Sequence, residues 1–442
     1  MYDLVIIGAG PGGYVCAIVA AQLGAKVCIV EKDGLGGTCT QRGCIPTKYL
    51  HSLGEIMRRA NSAKRYGIEG NFSVNYDVLK SKMFSTVSKL ASGIKLLLEN
   101  NDVELINGEA KIISQNKIGV NDKILETKNI VIATGSHPIC IPSYEFGDKI
   151  VSTDSIFDLE HLPKSVLIVG GGYSGCEFAS ILNAFECKVW LVEVQERLMP
   201  KQPVDIGKTI EKYMKLDGIS ILTNSRVEKI TKGEVMVNGK SIDPEKILVC
   251  TGREPNLNPD ELDKIDIKFD NKGIIVNEKM QTNIENVYAI GDITGKYELA
   301  HVASKQGEVA AQNIMRKDTV MDYSVVPFCV FTYPEVAFVG RLEGKSGEIS
   351  LAANAKANCL TETKGFVKVF EENGICIGAI IVGLHAGELI SEPALAIRMR
   401  LSMDDVLETI HAHPTLPEAF VDAIRDAKGS PIHTPVKTKT LE

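Results

Sequence analysis

The chain has 442 residues, 44% apolar and 24% charged, a length that calls for several domains and a composition suited to packed cores. Its formal net charge of −7, with no dense Lys/Arg block, argues against nucleic acid as a partner. No run approaches the roughly 18 apolar residues that a membrane span needs, and MYDLVIIGAG enters a strand without a leader, so no membrane contact and a cytoplasmic location are expected.

In chain order, LVIIGAG reads as a buried strand ending in glycine, PGGYVCAIVAAQLG as a helix, and KVCIVE as a second buried strand. A long helical stretch over 46–100 and a strand-rich one over 103–133 follow, ending in IVIATGSHP. The opening plan then returns: SVLIVGGGYSG, CEFASILNAFEC and KVWLVE repeat strand, glycine turn, helix and strand, and ILVCTGREPN echoes the Thr-Gly ending. Two copies of a dinucleotide-binding unit are therefore expected. NVYAIGDITG reads as a strand running into Gly291-Asp292, ahead of a helix over 300–316. From 323 the texture becomes antiparallel strands, then helices over 387–400 and 403–410. The expected fold is α/β, with two Rossmann-like dinucleotide-binding domains and a C-terminal α+β domain. The first domain takes 1–142 and returns over 265–322; the second takes 143–264, and the last 323–442. The closing Leu441-Glu442 reads as a remnant of an expression tag.

Both glycine turns carry chemistry. Gly8, Gly10 and Gly13 fit G-x-G-x-x-G, and Glu31 ends the next strand. The first glycine allows the tight turn, the second lets backbone approach a pyrophosphate, and the third lets helix pack on strand. The acid accepts ribose hydroxyls while the helix N-terminus faces the phosphates. Gly170, Gly172, Gly175 and Glu193 repeat the set. Two dinucleotides are implied, and the fingerprints leave open whether one of them is a flavin. At the second site Glu193 repels a 2′-phosphate, and Arg197 is the lone cation after it, so NAD(H) is favoured over NADP(H).

Eleven cysteines are expected to be mostly thiols in a reducing compartment. Cys16, Cys28, Cys140, Cys176, Cys187, Cys250, Cys329, Cys359 and Cys376 read as small buried hydrophobes. Cys39 and Cys44 stand apart, in GGTCTQRGCIPTK. Two ligands do not make a zinc site, so no metal is expected, and a short bridge would constrain little of the unfolded chain. A regular helix separates residues five apart by a rise of about 7.5 Å, beyond the usual disulfide Cα reach of about 6.8 Å. A redox pair therefore needs irregular winding, which Gly43 can supply. A helix starting near Pro46 would favour a thiolate at Cys44. The residues alone favour a redox pair and leave two buried thiols open.

GGTCTQRGCIPTK resembles the redox motif of the flavoprotein disulfide reductases, the class I pyridine nucleotide-disulfide oxidoreductases. ATGS, GGGYSGCE, TGREPN, AIGD, LAH and HAHPTLPEAF match that family in order across nearly the whole chain. Within it, the IPTK and HAHPTL signatures are most similar to the dihydrolipoamide dehydrogenase branch. The resemblance implies FAD held by Gly8, Gly10, Gly13, Glu31, Gly37, Thr38, Ala110, Thr134, Gly135, Ser136, Asp292, Leu299, Ala300 and His301, with Lys48 beside the flavin and paired with Glu177. It implies NAD at Gly170, Gly172, Tyr173, Gly175, Glu193, Val227 and Gly252. Cys39 would exchange with a dihydrolipoyl dithiol, Cys44 would lie against the flavin, and hydride would leave to NAD⁺. His413 would be the base and Glu418 its orienting carboxylate, reaching the cysteines of the other subunit of a homodimer. The implied partner is a lipoyl-bearing protein or domain of a 2-oxoacid dehydrogenase or glycine cleavage system. The alternative is an NADH-dependent reductase of another low-molecular-weight or protein disulfide.

Four positions depart from the branch. Tyr173 stands where an aliphatic residue is usual and resembles the tyrosine over the flavin in glutathione reductase. The segment after Val339-Gly340 lacks most of a helix expected there. Pro417 either stiffens the turn or shifts Glu418 away from His413. Arg42 lies between the cysteines, where it lowers a thiol pKa or is simply solvated, the second being favoured. His411, one step from the match, is expected to be structural.

Overall fold

A computed structural model describes residues 1–141, 145–230 and 234–434. The domain boundary expected at 142/143 and the Leu441-Glu442 tail lie outside the described residues. The chain divides into two compact units, 1–166 with 244–322 and 167–243 with 323–442.

In the first unit, β1 (Tyr2–Ile7), α1 (Pro11–Gln22) and β2 (Val27–Glu31) form the expected opening turn of the fold. Leu4, Val5 and Ile6 are wholly buried, which is why this strand reads as a continuous apolar run rather than an alternating one. Burial of side chains of this size contributes at most about 1.5–3 kcal/mol each. Next come α2 (Gly37–Arg42), which lies ahead of the stretch expected to be helical, and α3 (Cys44–Ser62) and α4 (Tyr76–Asn100), which make up most of it. Strands β3 (Glu104–Asn107), β4 (Ala110–Ser114), β5 (Lys117–Val120) and β6 (Lys123–Ile132) complete the order β3-β2-β1-β6-β5-β4. The strand Val287–Ala289 adds in parallel beside β6 and runs into the Gly291–Thr294 turn. The helix Ala300–Ile314 crosses α1 at close range. A Cβ on Gly307 would stand 2.4 Å from the Gly12 carbonyl oxygen, so neither helix tolerates bulk at the crossing.

The two Thr-Gly endings meet within this unit. Ser136–Pro138 pairs antiparallel with Arg253–Pro255, and the Asn256 side-chain amide donates to the Thr134 carbonyl at 2.7 Å.

The second unit repeats the opening plan with the strand Ser165–Val169, mostly in this unit, the helix Tyr173–Ala184 and the strand Lys188–Val192. Its C-terminal part is an antiparallel five-stranded sheet in the order 328–330, 335–340, 375–383, 366–372, 345–350. The amphipathic helix Glu418–Ala427 lies on the last two of these strands, at a distance set by Gly347, whose added Cβ would stand 2.1 Å from the Ala427 nitrogen. After Gly340 the chain makes a strand, Lys345–Ser350, and then only a five-residue helix, Ala355–Cys359, in keeping with the shortened sequence there.

Candidate active site

The first glycine turn divides its labour as the sequence suggested. Gly8 has φ +102°, and a Cβ there would stand 2.4 Å from the Ala133 oxygen; one on Gly13 would stand 1.9 Å from the Gly8 oxygen. Gly10 is different. Its φ of −66° suits any residue, and an added Cβ meets nothing within 4 Å. Neither conformation nor packing within the protein requires glycine there. Open space lies ahead of it, and α1 starts beyond it with no side-chain cap, an arrangement suited to an anion at the helix N-terminus. Gly172 matches this on every point: φ −78°, nothing within 4 Å of a Cβ, and an uncapped helix of 12 residues.

The acids behave alike too. Glu31 accepts the Ala9 N–H at 2.6 Å and the Asp33 N–H at 2.8 Å. Glu193 accepts the Gly171 N–H at 2.7 Å and the Gln195 N–H at 2.8 Å. Each carboxylate is thus locked beside its glycine turn with acceptor capacity left for ribose hydroxyls. Arg197 gives both guanidinium arms to backbone, donating to the Met199 oxygen at 2.8 Å and the Pro200 oxygen at 2.7 Å. The cation nearest in sequence after Glu193 is therefore committed to backbone rather than left for a 2′-phosphate. NADH is expected to outpace NADPH in steady-state disulfide reduction; a preference for NADPH would contradict this.

Around the first turn the unit gathers the other residues expected at a flavin. Gly36 donates its N–H to the Ala9 oxygen at 2.9 Å, and a Cβ on Gly37 would stand 2.8 Å from the Gly10 Cα, so the start of α2, with Thr38, lies against the fingerprint. Ala110 opens β4 two residues after Gly108, whose N–H bonds the Glu31 carbonyl at 2.8 Å. Ser136 donates to Asp292 at 2.6 Å. Leu299, Ala300 and His301 begin the helix whose Ser304 reaches the Pro11 oxygen at 3.4 Å. In the second unit, Val227 opens a strand two residues after Ser225, whose N–H bonds the Glu193 carbonyl at 3.0 Å. Gly252, also expected at this nucleotide, belongs to the first unit.

All eleven cysteines are thiols. Cys140 and Cys359, expected in buried positions, are instead exposed: one follows the short strand Ser136–Pro138, the other ends a five-residue helix, and neither place has a second layer over it. Cys329 is half-buried. The Cys39–Cys44 segment is broken as its geometry required. α2 ends and α3 begins at Gly43, with φ −137° and ψ −110°, and a Cβ there would stand 2.8 Å from the Thr38 oxygen. The new helix starts at Cys44, two residues ahead of Pro46, and Lys48 follows one turn on along the same face.

The Cys39 thiol is held well above the usual thiol range, first by the hydrogen bond it donates to the Cys44 sulfur, then by burial and by the charge of Cys44; the Cys44 N–H and Lys48 pull the other way. Arg42 is turned away, paired with Asp33 at 3.0 Å on the surface. Arg42→Val is therefore expected to leave the pH titration of thiolate absorbance unmoved; a clear shift would show a contact through charge.

In the second unit, His413 Nδ1 faces Glu418 at 2.9 Å. Burial pushes the Glu418 carboxyl up, but the Thr415 N–H, at 2.7 Å, and His413 more than offset it, so the group stays ionised below the ordinary carboxylate range. Pro417 immediately precedes the helix that Glu418 opens, and does not displace that carboxylate from the histidine. The His413 side chain is 70% exposed. His411 is taken up within the fold, with Nδ1 2.9 Å from the Thr409 oxygen and Nε2 2.7 Å from Glu392. Glu177 accepts the Phe331 N–H at 2.9 Å. Lys48, its expected partner, stands in the first unit.

Tyr173, the residue after Gly172, is fixed by a hydrogen bond from the Gln202 amide and by stacking on Phe328 at 6.2 Å between ring centroids. Burial pushes its hydroxyl up to about 12. Gln202, Thr415 and Arg253 escaped the sequence reading. Only Arg253 left a signal, since it occupies in TGR the place that Ser136 occupies in TGS.

Residues 2–307 match the pyridine nucleotide-disulphide oxidoreductase family, and residues 326–424 match the dimerisation domain of the same enzymes. A dihydrolipoyl dehydrogenase from Chlamydia pneumoniae is 36% identical, covering 99% of each chain. One from Geobacillus stearothermophilus is 38% identical over 98% of this chain and 97% of its own. The crystal structure of LpdA from Mycobacterium tuberculosis superposes with a TM-score of 0.90 at 25% identity, covering 96% of this chain and 98% of that one.

Proposed function

The chain belongs to the pyridine nucleotide-disulphide oxidoreductases, and from that membership we propose that Cys39 and Cys44 exchange with a dihydrolipoyl dithiol for the benefit of NAD⁺. It is an FAD-dependent, NAD-linked disulfide oxidoreductase of the dihydrolipoyl dehydrogenase type. The observation that carries the reading is the helix break at Gly43, which sets a proton-sharing thiol pair in the same unit as an open glycine cradle.

FAD, when bound, supplies the two-electron chemistry that links the thiol pair to the nicotinamide. Gly8, Gly10, Gly13, Glu31, Gly37, Thr38, Ala110, Thr134 to Ser136, Asp292 and Leu299 to His301 hold it. Gly170, Gly172, Tyr173, Gly175, Glu193 and Val227 would hold NAD. The chain's own part is thiol–disulfide exchange. A substrate thiolate attacks Cys39 of the oxidised pair and displaces Cys44 as the leaving thiolate. The second substrate thiolate then attacks its own bridged sulfur and releases Cys39, which leaves lipoyl disulfide and a reduced pair. His413 removes protons from the incoming dithiol, and Glu418 fixes the ring so that Nε2 points outward and stabilises the imidazolium formed. Lys48 offsets negative charge near the pair in this reading.

A homodimer follows, because His413 and Glu418 then serve the cysteines of the other subunit. The dithiol comes from a lipoyl-bearing protein or domain of a 2-oxoacid dehydrogenase or glycine cleavage system. Tyr173 favours a second reading, an NADH-dependent reductase of another small or protein disulfide, because a pinned aromatic beside the nucleotide turn is unusual for the branch. Purified protein is expected to be yellow and to reduce NAD⁺ with dihydrolipoamide; a colourless protein or no reduction would reject the main reading.

A further inference from the structure

Four residues far apart in sequence form one continuous polar chain in the first unit. The Arg253 Nε–H donates to the Ser136 hydroxyl oxygen at 2.9 Å, and one terminal N–H donates to the Ser136 carbonyl at 2.9 Å. The other terminal nitrogen donates to Asp154 at 2.7 Å, in an ion pair about four-fifths buried on both sides. The Ser136 hydroxyl donates to Asp292 at 2.6 Å. Ser136 itself is buried, 7% exposed.

The direction of this chain is fixed by chemistry. A guanidinium has donors only, and a hydroxyl has a single proton. With Arg253 occupying the Ser136 oxygen as donor, the only serine proton is aimed at Asp292. Burial holds the Asp292 carboxyl above the usual carboxylate range, and Ser136 and then Arg253 pull it only part of the way back. The Gly291–Thr294 turn that carries Asp292 packs against Arg253–Pro255, Gly273–Ile274 and the helix Ala300–Ile314. Among their charged groups, Glu254 is paired with His137 at 3.0 Å and Lys305 with Glu308 at 2.6 Å; His301 is the remaining titratable one. Arg253 is the cation whose charge reaches Asp292.

We infer that Arg253 is a positioning residue for the flavin: through Ser136 it keeps Asp292 ionised, as an acceptor for a donor of bound FAD. Asp154 holds the guanidinium from its far side. The inference rests on the reading that Asp292 lines the FAD site. It also gives the second Thr-Gly segment a task its fingerprint does not have, since Arg253 in this segment serves the flavin.

The test measures FAD dissociation from the holoprotein by recovery of free-flavin fluorescence. Arg253→Met and Ser136→Ala are each expected to weaken FAD by roughly tenfold to a hundredfold, the range for a hydrogen bond to a charged group. Acid release of FAD is expected to shift upward by about one pH unit in both variants. Arg253→Lys, which keeps the charge but not the fork, should recover part of that shift. In an Asp292→Asn background, Arg253→Met should add less than about threefold, since coupled residues are not additive. An unmoved release pH in both variants, or a full additional loss in the Asp292→Asn background, would reduce Arg253 to a brace between strands and overturn the inference. Should Arg253→Met fail to fold, Ser136→Ala alone and in the Asp292→Asn background carries the same two readouts. A wild-type protein without flavin would instead sink the functional reading itself, and this inference with it.

Discussion

Cys39→Ser is expected to lose dithiol turnover by on the order of 10⁴-fold or more while the protein stays yellow. Serine nearly matches the thiol in size, so the junction between α2 and α3 at Gly43 should survive. A hydroxyl cannot form the S–S bond to substrate or to Cys44, so exchange stops at its first step. The cradle expected to hold FAD uses backbone at Gly8, Gly10 and Gly37, which the substitution leaves alone. Stopped-flow turnover with dihydrolipoamide, read beside the bound-flavin spectrum, separates the two effects. Turnover within about tenfold of wild type would remove Cys39 from the exchange.

His413→Gln is expected to lower kcat by roughly 10²- to 10⁴-fold, the usual contribution of a positioned acid–base group. Glutamine keeps a polar tip of similar reach but cannot take a proton. The 2.9 Å contact to Glu418 leaves Nε2 as the working nitrogen. Glu418→Gln should cost less, because it loosens the ring and the imidazolium but leaves the base in place. Thermal unfolding should change little with His413→Gln, since that side chain is 70% exposed. The two variants differ in turnover and not in stability if the roles are as assigned; equal, small losses would mean the pair is a surface contact.

Local constraints made much of the molecule legible. The fingerprint dictates backbone over six residues and an acid about 20 further on, so both glycine turns, Glu31 and Glu193 stand out, and helix rise shows that a Cys39–Cys44 redox pair needs irregular winding. Long-range partners were not readable. Arg253 and Ser136 lie 117 positions apart, and Ser136 and Asp292 lie 156 apart, so only folding brings the relay together. Cys140 and Cys359 were misjudged because neighbouring apolar residues do not say whether a second layer covers a short element. Pro417 was ambiguous for a related reason: whether a proline displaces its neighbour depends on where the following helix begins, and here that helix begins at Glu418.

Steady-state NAD⁺ reduction, compared across dihydrolipoamide, reduced glutathione and a thioredoxin-type dithiol, tests the central claim most directly. Dihydrolipoamide is expected to lead in kcat/KM by roughly a hundredfold or more, because a site built for one dithiol discriminates through its transition state. An equal or higher kcat/KM with either of the other thiol substrates would contradict the assignment and favour a reductase of a different disulfide.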